Sequence, residues 1–174
     1  MPSPNLMAAT LTRRTSRAAI VVLGNSLAAY NPPLRVAEEF AMLDCLSRGR
    51  LVAGFPVGTS MDMNFAYGIN PATLRERYYE AHDLVMQAWT RPEMFSFNGK
   101  YTQVRYANIW PQPLQKPHPP VWIPGGGSVE TWEGTSKLDY VYCYLSYFGY
   151  KRGKATMDGF WETSARMGAD DNPF

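Results

Sequence analysis

Four short apolar runs punctuate this chain, and each one hands over to a helical pattern further along. The first is Ala18-Ala-Ile-Val-Val-Leu23, closed by Gly24-Asn25-Ser26. The second is residues 50–55, closed by Pro56-Val57-Gly58-Thr59-Ser60. The third is residues 121–124, closed by Gly125-Gly126-Gly127-Ser128, and the fourth is residues 140–145. Continuous β-branched or aromatic runs of this length suit strands buried on both faces of a parallel sheet. Between them, residues 34–46 repeat apolar side chains at Val36, Phe40, Leu43 and Leu46, with Pro33 set to be a first helical residue and Gly49 to be a left-handed cap. Residues 72–89 carry a stripe at Leu74, Tyr78, Ala81, Val85 and Ala88. Residues 151–167 carry one at Met157, Phe160, Trp161 and Ala165. Residues 56–68 read as a loop excursion. Residues 94–106 read as a β-hairpin about Asn98-Gly99, and five prolines between Pro111 and Pro120 make a stiff surface segment. Strand and helix alternate, so the fold class is α/β with a parallel sheet, in one domain over residues 1–174.

Charge and composition narrow the function. Seventeen Lys plus Arg face fifteen Asp plus Glu, a net charge of +2, and the densest basic stretch, Arg13 to Arg17, reads as a solvated helix end. Nucleic acid is therefore not an expected partner. Hydrophobic residues at 45% supply a core. No run of eighteen apolar residues occurs, and residues 1–17 have no apolar signal core, so neither a membrane span nor a secretory signal is expected. Cys45 and Cys143 stand singly, as small core residues of a reduced, cytoplasmic protein. With only His82 and His118 beside them, no metal site is expected.

In parallel α/β folds the loops after strand C-termini build the site. The Gly125–Ser128 loop is the most informative of these. Consecutive glycines let backbone N–H groups face a ligand, the next helix adds its positive end, and Ser128 and Thr131 place two hydroxyls on its first turn. A phosphate cradle is one reading; Ser128 as a plain N-cap, with Glu130 near the helix dipole, is the other. His82 and His118 read as structural. Glu38 and Glu39, neighbours on a helix, point about 100° apart and suit a salt-bridge or subunit-contact face better than acid/base work. The tyrosines at 140, 142, 144, 147 and 150 offer either core packing or a flat surface for a ring.

Residues 31–44, 47–55, 109–124 and 125–131 together resemble the bacterial luciferase-like family of flavin-dependent monooxygenases, in that family's order and spacing. The resemblance implies a partial TIM (β/α)8 barrel in which residues 18–24, 50–55, 121–124 and 140–145 are the third to sixth strands. It implies a fragment of a longer enzyme, since a full barrel needs about 250 residues. It also implies an FMN phosphate site at Gly126, Gly127, Ser128 and Thr131, with Asn25, Val57, Gly58, Thr59 and Tyr67 against the flavin. Several relatives place an Arg where Val57 stands. No catalytic residue carries over, because the strands that hold it in the family are not here. The implied activity is oxygenation of a small organic substrate by reduced FMN and O2, with a flavin reductase as partner and a homodimer in the intact protein. A deazaflavin-dependent dehydrogenase and a non-catalytic flavin-binding protein are the alternatives.

Overall fold

Each apolar run becomes a strand: three are shorter than the run by two residues or more, and the third is longer by one, reaching Gly125. The computed structural model describes residues 3–169, in two compact units, Met1–Pro120 and Val121–Phe174. The first unit runs α1 (Pro4–Arg14), β1 (Ile20–Val22), α2 (Leu34–Ser47), β2 (Leu51–Gly54), α3 (Met61–Ala66), α4 (Leu74–Thr90), β3 (Phe95–Asn98) and β4 (Gln103–Ala107). The second runs β5 (Val121–Gly125), α5 (Val129–Lys137), β6 (Val141–Tyr144) and α6 (Gly149–Met167).

In the first unit β1 and β2 pair in parallel, Ile20 opposite Leu51 and Val22 opposite Ala53. Gly54 ends β2 where β1 comes closest: a Cβ there would lie 2.4 Å from both Leu23 Cα and Val22 O, inside any allowed contact. The helices cover the pair through a tilted aromatic cluster. Phe40 lies 5.2 Å from Phe55 and 6.4 Å from Trp89, ring centre to ring centre. Trp89 Nε1 donates to Ala37 O at 3.0 Å and the Tyr78 hydroxyl to Phe55 O at 3.0 Å, so both polar tips are satisfied inside the core. All five residues of the α4 stripe are buried, as its spacing predicts.

The proline segment is tied down by a buried acid. Asp44, fully buried on α2, accepts from the Gln115 backbone N–H at 2.8 Å and from Gln115 Nε2 at 2.7 Å. The same amide group donates to Leu51 O at 2.9 Å, joining α2, β2 and the segment at one point. The β3–β4 hairpin forms with Asn98 opposite Gln103, and its turn is pinned to α4. Glu80 accepts from the backbone N–H groups of Lys100, Tyr101 and Thr102.

Several expectations are corrected. Val21 and Val141 are 40% and 52% exposed, so β1 and β6 are not buried on both faces. Leu46 is 44% exposed: the core-facing stripe of α2 ends at Leu43. Its left-handed cap is Arg48, at φ 59°, with Gly49 also positive behind it. Within residues 56–68 a one-and-a-half-turn helix, α3, forms because the Ser60 hydroxyl caps Met63 N–H. On α6 the buried face is Gly153, Thr156, Phe160, Thr163 and Ser164, while Trp161 and Ala165 lie exposed. Small and hydroxyl residues, invisible to an apolar count, let this helix approach closely: Ser136 and Ser164 hydroxyls meet at 2.5 Å, and a Cβ on Gly159 would strike Trp132 at 2.7 Å.

Asp44→Ala removes one charged acceptor and leaves two donors of Gln115 to find others. It should lower stability by about 2–3 kcal/mol in a urea melt, against at most about 0.5 for the partly exposed Glu38→Ala. His82 is buried on α4. Burial, above all, holds its pKa below the ordinary 6.5; Asp83 opposes this and His118 adds to it. The folded state thus prefers the neutral ring, and the unfolded chain binds the extra proton below pH 6.5. Melting temperature should fall as pH drops through that value, and His82→Gln should flatten the fall.

Candidate functional site

The second unit carries the glycine-rich turn. β5 ends at Gly125 and α5 starts at Val129, with Ser128 at the N-cap position in extended backbone. A Cβ on Gly126 would meet nothing within 4 Å, so this backbone faces open space. Gly127 sits at φ +113°, a conformation closed to L side chains, and a Cβ there would also press Thr156 at 3.3 Å. The first-turn N–H groups of a helix have no intrahelical acceptor, so the turn and α5 together present donors and a partial positive charge. The geometry of an anion cradle is present in the backbone.

The hydroxyls are less simple. Ser128 does not cap the helix backbone with its side chain. Its Oγ donates instead to the Glu130 carboxylate at 2.5 Å. Thr131 is buried one turn in, where its carbonyl accepts from Thr135 Oγ1. Below the turn, Trp132 Nε1 and the hydroxyls of Tyr142 and Tyr144 are buried, and the Trp132 side chain and the Gly127 backbone N–H both lie close to the Tyr142 oxygen. The Tyr142 hydroxyl comes within 3.2 Å of where a Gly125 Cβ would stand. Burial raises the Tyr142 pKa, so the phenol keeps its proton and remains a donor. Its ring stacks on Phe160 at 5.0 Å and meets Trp132 edge-on. Of the expected tyrosine surface, then, Tyr142 is core, while Tyr147 and Tyr150 are exposed. Cys143, half buried, has its pKa pushed up to about 11 by burial and is an inert thiol.

In the first unit the loop after β1 holds Asn25, fully buried. Its Nδ2 donates to Asn5 Oδ1 at 2.9 Å, and its Oδ1 accepts from the Tyr30 hydroxyl at 2.6 Å. Asn5 passes the chain on to the Glu39 carboxylate. Burial first, then Glu39 and Tyr67, raise the Tyr30 pKa, so Tyr67 lies within electrostatic reach of the Asn25 network. After β2, Val57 is buried, Gly58 is exposed with open space around it, and Thr59 Oγ1 turns to the Met63 sulfur. Tyr67 ends α3 with its ring largely exposed. Asn5, Tyr30 and Glu39 join the Asn25 network with no sequence signal; Asn5 lies 20 residues from Asn25 and 34 from Glu39, while Tyr30 is only five from Asn25 but in no repeating pattern. A second feature of this unit is a cavity of about 600 Å³ between α1 and α2. Leu6, Met42, Leu46 and Trp110 line it, and the Arg35–Glu38 ion pair (2.8 Å) flanks it. Among the described residues no cluster of His, Cys, Asp and Glu could hold a metal ion, and no helix is long and apolar enough to cross a membrane.

The sequence profile of the luciferase-like monooxygenases matches residues 1–174. This chain belongs to that family. Among curated relatives, it is 30% identical over 127 residues to the oxygenase component of the flavin-dependent trigonelline monooxygenase of Acinetobacter baylyi, covering 70% of this chain and 34% of that protein. It is 31% identical over 147 residues to the F420-dependent glucose-6-phosphate dehydrogenase of Kineococcus radiotolerans, covering 80% and 42%. Among solved structures, a monooxygenase from Streptomyces bottropensis superposes with a TM-score of 0.82 at 24% identity, over 98% of this chain and 52% of that one. The oxygenating constituent of 3,6-diketocamphane monooxygenase from Pseudomonas putida, in complex with FMN, gives 0.80 at 18% over 99% and 50%. The chain thus spans about a third to two fifths of these curated relatives and half of the solved ones. Its fold is a partial luciferase-like TIM barrel, as the order of its motifs implies.

The Glu130 carboxylate already accepts from the Ser128 hydroxyl, so it competes with any anion for that donor. On the expectation that this turn takes a flavin phosphate, Glu130→Gln should tighten FMN binding severalfold at low salt, read by flavin fluorescence quenching, and the gain should shrink as salt screens the charge. Gly127→Ala should weaken binding and lower stability by about 1–2 kcal/mol.

Proposed function

We propose that this chain is part of a flavin-dependent monooxygenase, using reduced FMN supplied by a separate flavin reductase and O2 to oxygenate a small organic substrate. The observation that carries the reading is the open Gly126–Gly127 backbone feeding the N-terminus of α5. These features fit a phosphate end. When bound, the flavin supplies the redox and oxygen chemistry. The chain's own part is to hold it. Backbone N–H groups at Gly126 and Gly127 and the hydroxyls of Ser128 and Thr131 take the phosphate; Ser128 gives up Glu130 to do so. Asn25, Val57, Gly58, Thr59 and Tyr67 are assigned to the flavin ring and its side chain. Asn25 acts there through its backbone and as the rigid centre of the Asn5–Asn25–Tyr30 network, since its amide is already engaged. Among the described residues, none is assigned to proton transfer.

Residues 1–174 are taken as one partial barrel domain of a cytoplasmic enzyme in which Cys45 and Cys143 stay free thiols. The intact protein is read as a homodimer. The apolar cavity between α1 and α2, flanked by an acid and a base, supports pairing with a second copy there. A deazaflavin-dependent dehydrogenase is the second reading. The similarity to the Kineococcus radiotolerans enzyme, which covers more of this chain than the trigonelline relative does, favours it.

The test is a comparison of FMN with riboflavin, which lacks the phosphate. The chain should bind FMN more tightly. Ser128→Ala with Thr131→Val should weaken FMN about tenfold, the loss of roughly one charge-assisted bond, and leave riboflavin unchanged. Equal affinity for the two flavins would remove the phosphate assignment. A preference for a deazaflavin cofactor over FMN would select the second reading.

A further inference from the structure

At the other ends of β1 and β2 from the Asn25 and Val57 loops, the first unit holds a cavity of about 230 Å³ lined by Arg13, Arg48 and Arg50 with the hydroxyl residues Thr12, Thr15 and Ser16. No carboxylate lines it. The C-termini of α1 and α2 meet here, and unsatisfied carbonyls would ordinarily make such a place hostile to an anion. Arg50 removes that obstacle. Its guanidinium donates to the carbonyls of Ser47, Thr12, Thr15 and Ala18 and to Thr15 Oγ1, so all five of its N–H groups are spent on the helix ends. Arg13 and Arg48 are then left in excess. Both are exposed, and among the described residues neither guanidinium has a carboxylate partner.

Arg48 is also held in the left-handed region, at φ 59° and ψ 50°, by hydrogen bonds from its N–H to the carbonyls of Asp44 and Cys45. Glycine is the residue this cap favours, and an L side chain there is strained. A strained residue that persists beside a cavity points to a use for its side chain. We propose that this cavity binds a phosphate dianion, free or as the head of a phosphomonoester. Arg13 and Arg48 supply the donors, Arg50 supplies charge, and the exposed Leu46 provides one apolar wall. Paired guanidinium groups match phosphate geometry, and the volume suits so small a group.

Phenylglyoxal labelling of the whole chain, read residue by residue by mass spectrometry, separates this cavity from the Gly126–Ser128 turn. Inorganic phosphate at about five times its dissociation constant should slow labelling of Arg13 and Arg48 about sixfold and leave Arg35 and Arg152 unchanged. Glycerol phosphate acting at lower concentration than inorganic phosphate would identify the ester as the ligand; equal action would identify the free ion. As a second measurement, Arg48→Gly should melt above the parent chain without phosphate, through relief of strain, and gain less from phosphate at fixed ionic strength. Unprotected Arg13 and Arg48, or an equal phosphate-induced rise in both chains, would overturn the proposal and leave the reading of the glycine-rich turn standing.

Discussion

A fully buried carboxylate with no ion-pair partner among the described residues, Asp44, decides how the first unit is put together. Taking a charge out of water is costly unless hydrogen bonds replace the lost hydration. Gln115 does this twice, by its backbone and its side chain, and the same side chain reaches the carbonyl that opens β2. The proline segment is therefore located by a charge-assisted contact from α2, while its rings fix only its stiffness. Cys45, the next residue along, leans its sulfur on Gln112 O, and Ala53 N–H bonds Pro120 O at the segment's end. Three neighbouring contacts thus define where the chain leaves the first unit.

Much of this fold is legible in the sequence because hydrophobic spacing speaks for long elements. The α4 stripe is correct at every position, since a seventeen-residue helix averages over its irregular members. Errors gather where size or backbone angle, not hydrophobicity, decides. On α6, Thr156, Thr163 and Ser164 face inward because close packing needs small side chains, while the larger Trp161 is left outside. At the end of α2 the glycine is present but one residue late, so an arginine takes the left-handed turn. The short α3 has too few residues to show a period, and only its Ser60 cap could have signalled it.

The site divides in the same way. The glycine-rich turn is visible because three successive glycines have few uses. Gly126 and Gly127 turn out to use their missing side chains differently: one for open space, the other for its backbone angle. What could not be read is the competition for Ser128. Its hydroxyl serves Glu130, two residues on, a partnership that residue types alone leave equal with capping. Nor could spacing foresee that Asn25 would lie fully buried and committed to Asn5 and Tyr30.

The Glu80 carboxylate has a role beyond fastening the hairpin. A turn of four residues between strands ordinarily leaves its amides to water, and so to rapid solvent exchange. Here Lys100, Tyr101 and Thr102 all direct their N–H groups at one acid on α4, and a side chain on Gly99 would fall 2.4 Å from that same carboxyl. The protection of those three amides therefore measures the persistence of a helix twenty residues earlier rather than of the hairpin that contains them, and local opening of α4 would expose the turn together with it.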